Sequence, residues 1–199
     1  MVCIESKSRQ IGGFGYIVEI DESKFVKRKY HKGKPRKCKD WILGGICRET
    51  GECFMRIVNN RNKDTLQKYI QMYVKPGTVI ITDCWAAYKD LKELEGMEYT
   101  HYTVNHSETY VDAVTGAHTN TIEGTWAHCK RACPKLGLRS NFLDGYICRF
   151  IWFKLTKSLG KDPFFFLLEC ISEQYQIKNS PLRNLADTFT NSTSSTIDI

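Results

Sequence analysis

Lys75-Pro76-Gly77-Thr78-Val79-Ile80-Ile81-Thr82-Asp83 decides the architecture of this chain. Proline and glycine stop whatever precedes them, and the residues that follow are apolar or β-branched almost throughout. A strand without polar alternation is buried on both faces, so it belongs at the centre of a sheet covered by helices. An α/β protein is therefore predicted, with Asp83 at the exit of its central strand. Upstream, Tyr16-Ile17-Val18-Glu19-Ile20 is a second apolar run that closes on an aspartate, Asp21. The stretch before it ends in Gly12-Gly13-Phe14-Gly15, too glycine-rich to be an element.

Outward from these two runs, periodicity and breakers mark the remaining elements. Residues 41–47 and 52–58 read as strands joined by Arg48-Glu49-Thr50-Gly51, which has a glycine where a tight reverse turn wants it. With residues 16–21 they form an antiparallel meander. Asp64-Thr65 offers a cap for a helix running to about Val74, with Leu66, Tyr69, Ile70 and Tyr73 as its apolar stripe. Asp83-Cys84-Trp85-Ala86-Ala87-Tyr88 turns into a second helix ending near Gly96, and a short strand follows at about 99–104. A third helix starts at about Asn120 and stops near Pro134, because proline restricts the residue before it. Ile122, Trp126, Cys129 and Cys133 share its apolar stripe, and Glu123, Ala127 and Lys130 share another about a quarter turn away. A fourth helix at about 141–157 is crowded with Phe142, Tyr146, Ile147, Phe150, Ile151 and Trp152. Phe164-Phe165-Phe166-Leu167-Leu168 opens a fifth, read as a core helix.

Strand-strand-strand-helix-strand-helix-strand-helix is the mixed α/β order of the ribonuclease H-like fold. A sheet of about five strands flanked by helices, with further C-terminal helices, is expected. In that order the first and fourth strands are neighbours, which would bring Asp21 and Asp83 to one end of the sheet. The expected organisation is a polar lead-in over 1–14, a catalytic domain over 15–157, a C-terminal helix over 158–178 and a disordered Ser/Thr/Asn-rich tail over 179–199.

A chain of 199 residues fits one domain, and 42% hydrophobic with 12% aromatic residues excludes a disordered polymer. No apolar run approaches the roughly 20 residues of a membrane span, so no membrane partner is expected. The nine cysteines are odd in number, none forms a Cys-x-x-Cys pair, and no secretory apolar segment opens the chain. Buried reduced thiols in an intracellular protein follow from that pattern. The net charge of +7 matters less than its placement. Lys24, Lys27, Arg28, Lys29, Lys32, Lys34, Arg36, Lys37 and Lys39 fall in one run without an intervening acid. Such a run suits a solvated loop, a nuclear-import signal or an arm that contacts phosphates.

Two strand-borne aspartates and a helix-borne carboxylate are the parts of a two-metal phosphoryl-transfer site. Mg²⁺ or Mn²⁺ takes oxygen ligands from rigid elements, and two ions about 4 Å apart share at least one carboxylate. Asp21, Asp83 and Glu123 are the metal ligands on this reading. Each has a plainer rival. Strand-end aspartates are commonly turn residues. Asn120-Thr121-Ile122-Glu123 has the form of a capping box, with the amide as cap and Glu123 reaching back. Lys130 suits a solvated helix face, and His106 and His118 suit loops as well as they suit ligands.

The sequence also resembles a family. Val18-Glu19-Ile20-Asp21-Glu22-Ser23-Lys24-Phe25, then Lys75-Pro76-Gly77-Thr78 leading into Asp83-Cys84-Trp85-Ala86-Ala87-Tyr88, look like the DDE transposases of the ISXO-like group, which includes bacterial insertion sequences and the Merlin elements of animals. Val104-Asn105-His106-Ser107-Glu108, Gly116-Ala117-His118-Thr119-Asn120-Thr121-Ile122-Glu123 and Trp126 extend the likeness, which covers about residues 11–155. The resemblance implies a ribonuclease H-like, integrase-like core, a divalent metal and strand transfer of transposon ends. It implies Asp21 and Asp83 as the first two acidic residues, Glu123 or Asn120 as the third, and Lys130 as the helix lysine. Members usually carry a zinc-ribbon or helix-turn-helix region ahead of the core, whereas this sequence begins almost at the core. Members also often have Glu-Phe in the following helix, where Arg149-Phe150 stands here.

The expected function is a transposase catalytic core, an endonuclease and strand transferase acting on DNA ends and target as a homo-oligomer. It would work in the nucleus of a eukaryote or on DNA in a bacterial cytoplasm. The alternative is a silent or domesticated DNA- or protein-binding module of the same fold. Phosphate contacts are expected from Lys24, Lys27, Arg28, Lys29, Lys32, Lys34, Arg36, Lys37, Lys130 and Arg131. Neutralising Lys27, Arg28, Lys29 and Lys32 together should weaken duplex binding irrespective of sequence and flatten the dependence of log Kd on log salt, because fewer counterions are released. An unchanged salt slope in a fluorescence-anisotropy titration returns the run to a solvated loop.

Overall fold

A computed structural model describes residues 10–25, 41–105, 117–134 and 140–175. The strands are Ile17–Lys24 (β1), Trp41–Cys47 (β2), Cys53–Val58 (β3), Val79–Asp83 (β4) and Thr100–Val104 (β5), and they lie in the order β3-β2-β1-β4-β5. β1, β2 and β3 are antiparallel neighbours, while β4 and β5 run parallel to β1. This meander followed by two parallel strands is the ribonuclease H-like sheet. Antiparallel partners need only a tight turn, and here Gly51 takes a left-handed φ of 69° at the β2–β3 corner. Parallel partners need a crossover: Lys63–Tyr73 (α1) lies between β3 and β4.

The sheet alternates its side chains between two cores. On one face Val18, Ile20, Leu43, Phe54 and Ile80 pack against Leu66 and Ile70 of α1. On the other, Ile42, Ile46 and Met55 meet Ile122, Trp126 and Cys129 of Asn120–Ala132 (α2) and Leu143 and Ile147 of Ser140–Ser158 (α3). The helix stripe expected at 122, 126, 129 and 133 is buried, and Glu123, Ala127 and Lys130 are exposed. Among the described residues no helix is long and apolar enough to cross a membrane.

Several local expectations change. β1 continues to Lys24, so Asp21 lies inside the strand opposite Gly44 and does not close it. The cap of α1 is Asn62, whose side chain accepts from Thr65 N–H at 3.0 Å, in place of Asp64-Thr65. The helix expected after Asp83 is two 3₁₀ turns, Ala86–Tyr88 and Leu91–Glu93. Its apolar residues Tyr88, Leu91, Leu94 and Met97 recur every third position, the period of a 3₁₀ turn. Ile11, within the segment read as a polar lead-in, is buried and bridges Val74. Pro163–Tyr175 (α4) is not a core helix. It buries Phe166, which stacks on Trp152 of α3, and Cys170, while Phe164, Phe165, Leu167 and Leu168 are exposed. The tail from 176 lies outside the described residues.

α2 also departs from the capping-box reading. Its cap is Thr119, which makes no side-chain cap bond, and Asn120 is the first helical residue. The buried carboxylate of Glu19 on β1 takes over that role from across the fold. Its Oε2 accepts from Ile122 N–H at 2.9 Å, and its Oε1 accepts from Arg48 Nε at 2.5 Å. Arg48 Nη2 in turn donates to the His118 carbonyl at 2.6 Å, just ahead of α2. Arg48→Ala should leave the buried Glu19 carboxylate without its guanidinium partner. A loss of about 3 kcal/mol in urea denaturation is expected, because a buried charge without its partner keeps its full desolvation cost. A loss below about 1 kcal/mol would mean that water reaches Glu19.

Candidate active site

Parallel pairing puts the first two carboxylates just past the same end of one ladder. β1 and β4 pair Ile17 with Val79, Val18 with Ile80 and Glu19 with Ile81, a constant offset of 62 positions. The ladder ends there, two residues short of Asp21 and Asp83, and alternation puts both on the α2 side of the sheet. Asp21 Oδ2 accepts from Trp126 Nε1 at 3.0 Å. Trp126 reaches it by lying over β2 where Gly44 has no side chain: a Cβ there would meet the indole at 2.5 Å. Asp83 Oδ1 accepts from Trp85 N–H at 3.0 Å, an Asx turn that ends β4.

Burial raises the Asp21 carboxyl to about 6, and the charges of Asp83 and Glu123 contribute to that rise. Charges from β4 and α2 therefore both bear on Asp21 of β1. Glu123 Oε1 accepts from Thr119 Oγ1 at 3.3 Å. Asn120 is exposed on the first turn of the same helix. Lys130 lies two turns along with its ammonium 5.4 Å from the Phe25 ring, and Arg131 is exposed beside it. Lys24 is exposed with its ammonium 4.4 Å from the Trp41 ring. Lys27, Arg28, Lys29, Lys32, Lys34, Arg36 and Lys37, with His106, lie outside the described residues. Arg149 sits on α3 over Phe153 at 5.5 Å.

Residue-by-residue reading missed a fourth carboxylate. Glu22 is raised to about 7 by burial, with Asp83 and Asp21 adding to the rise. It points to the α1 face, where Tyr88 O–H donates to its Oε1 at 2.6 Å. The available signal was the length of the strand: had β1 been extended past Asp21, alternation would have placed Glu22 among buried residues. Behind β4, Thr82 Oγ1 donates to the Asp83 carbonyl at 2.6 Å and lies 2.9 Å from His101 Nε2. The hydroxyl hydrogen is used, so His101 Nε2 must donate, and burial holds this imidazole neutral with its pKa near 4.

All the candidate ligands are carboxylate oxygens, a donor set suited to Mg²⁺ or Mn²⁺ rather than to softer metals. Among the described residues no group of three or more His, Cys, Asp or Glu is already gathered closely enough to hold a metal ion. Asp21, Asp83 and Glu22 each engage a protein donor.

The model of the ISXO2-like transposase domain matches residues 13–152. The chain belongs to that family. The match runs from the glycines before β1 to the middle of α3, so it contains every carboxylate of the cluster. An uncharacterized transposase-like protein of Haemophilus influenzae is 28% identical over 97 residues, 48% of this chain and 75% of that protein. The HTLV-2 integrase catalytic core, solved with magnesium, is similar in its dimeric form at 18% identity and a TM-score of 0.42, covering 69% of this chain and 83% of that one. Its trimeric form gives 17% and 0.44, covering 72% and 86%.

The raised carboxyls make a prediction for the transposase domain without metal. Their folded pKa values lie above the ordinary values near 4, so the stability they contribute is complete below about pH 4 and is lost as pH rises through about 6 and 7. In EDTA the protein should melt at a lower temperature at about pH 8 than at about pH 5. Glu22→Gln, which stays neutral, should flatten that difference. A wild-type slope unchanged in Glu22→Gln would show that Glu22 is solvated.

Proposed function

We propose that this domain cuts DNA strands and joins their 3′-hydroxyl ends to target phosphates in transposition. One observation supports the reading: the charges of Asp83 on β4 and Glu123 on α2 both bear on Asp21 of β1 in a chain of the ISXO2-like transposase domain family. These three would hold Mg²⁺ or Mn²⁺, with two ions as the arrangement that three carboxylates suit. Bound there, the cations supply Lewis acidity, lowering the pKa of the attacking hydroxyl and offsetting charge on the phosphate.

The chain's own groups prepare that step. Trp126 fixes one oxygen of Asp21. The Asx turn fixes Asp83 in the same way. Tyr88 orients Glu22 on the opposite face of β1. Lys130, Arg131 and the basic run from Lys24 to Lys37 contact backbone phosphates, which position DNA without reading its sequence. The substrates are transposon ends and target DNA, bound by more than one copy of the chain.

Nicking of a labelled duplex in Mg²⁺ or Mn²⁺ tests this directly. Asp21→Asn and Asp83→Asn should lose cleavage by orders of magnitude and keep DNA affinity, because losing a metal ligand removes transition-state stabilisation. Glu123→Gln should do the same without lowering the melting temperature, and Asn120→Ala should remain active. An inactive but folded Asn120→Ala with an active Glu123→Gln reverses the third assignment. Intact DNA with the wild-type protein under both metals leaves a non-catalytic binding module.

A further inference from the structure

Beside the carboxylates lies a second cluster that the chemistry of cutting does not use. Lys24, Trp41, Arg61 and Trp85 come from the end of β1, the start of β2, the β3–α1 connection and the turn after β4. Lys24 and Trp41 are cross-strand partners, and the Lys24 ammonium lies 4.4 Å from the Trp41 ring. The Arg61 guanidinium bridges two indoles, 3.6 Å from the Trp41 ring and 4.8 Å from the Trp85 ring. Among the described residues it has no carboxylate within ion-pair distance. Trp85 leaves 44% of its surface exposed.

Trp85 is a large indole left half in water with a guanidinium over its ring. Packing alone would bury it, and a loop anchor would not need a guanidinium between two rings. The position is as informative as the composition. The Trp85 N–H is the group that bonds the Asp83 carboxylate, and the Arg61 charge reaches Glu22. The patch therefore adjoins the acids, within reach of a strand whose phosphate lies there.

We infer that Trp85, backed by Arg61, forms a stacking platform for an unpaired nucleobase next to the phosphate being cut. The ligand is single-stranded DNA: its base lies on the exposed indole, and its phosphate meets Arg61 and Lys24. Stacking on an aromatic ring tolerates every base and favours strands whose bases are already unpaired. Arg61 strengthens the platform, because a cation on one ring face leaves the opposite face for a base while its N–H donors meet phosphate. The placement beside the cut rests on the strand-cleavage reading above.

The test uses a short single-stranded oligonucleotide carrying a central 2-aminopurine, and the same strand in a duplex, in EDTA so that no cutting intervenes. Wild-type protein should quench 2-aminopurine in the single strand. Trp85→Ala should abolish the quenching and weaken single-strand binding about tenfold, with duplex binding changed less than about twofold. Trp85→Phe should keep part of both, and Arg61→Ala should weaken single-strand binding without restoring full fluorescence. Unchanged melting temperatures exclude misfolding, since the replaced groups lie at the surface. Quenching that persists in Trp85→Ala, or equal losses on single strand and duplex, overturns the inference. Wild-type nicking in Mg²⁺ reports on the cleavage reading separately: quenching that depends on Trp85 supports the platform in a protein that does not cut, and a cutting protein without it refutes the platform alone.

Discussion

The Glu19 carboxylate is the joint on which the rest of this molecule hangs. It is fully buried on β1, yet it holds Arg48 from the β2–β3 turn and the Ile122 N–H in the first turn of α2. The His118 imidazole lies 3.4 Å from the same carboxylate. A carboxylate taken out of water is costly, and a guanidinium and a helix N-terminus are the partners best able to offset that cost. Both are present here. The consequence is positional, because the start of α2 is pinned to one residue of the central β1 strand.

From that joint, two repeats run in step. Moving from Glu19 to Asp21 advances two residues along a strand, roughly 6.7 Å. Moving from Ile122 to Trp126 advances four residues along a helix, roughly 6 Å on the same side. The Glu19–Ile122 contact and the Asp21–Trp126 contact are successive rungs between one strand and one helix. Glu123 follows Ile122 on the edge of the helix and is carried to the acids by the same docking. Gly44 permits this, because any side chain there would lift Trp126 off the sheet.

The site therefore carries its own repulsion as a condition of its position. The charges of Asp83 and Glu123 raise the proton affinity of Asp21, those of Asp83 and Asp21 raise that of Glu22, and the protein donors of Asp21 and Glu22 restrain rather than neutralise them. Such a cluster is an unfavourable feature for stability alone and a useful one for binding a hard cation. The cationic and aromatic groups of Arg61, Trp41 and Trp85 border it on the same edge. Negative and positive fields are thus set next to each other where a phosphodiester has to lie.

By itself the sequence determined the order of the elements, the central strand at Val79–Asp83, the buried stripe of α2 and the candidate acids Asp21, Asp83 and Glu123. Those features depend on local period and on residue chemistry, which a linear reading contains. Tertiary structure alone decided what each neighbour does. α2 is capped by Glu19, which lies 103 positions upstream, so the local Asn120–Glu123 box lost to a partner no spacing rule could name. The segment after Asp83 became 3₁₀ turns because Tyr88, Leu91, Leu94 and Met97 all had to face one core. Glu22 joined the acids because β1 pairs beyond Asp21, and Phe164 and Phe165 stayed in water because α4 packs along only one of its sides. Each outcome turns on which distant surfaces meet, and a hydrogen bond or a buried face is available only after they have met.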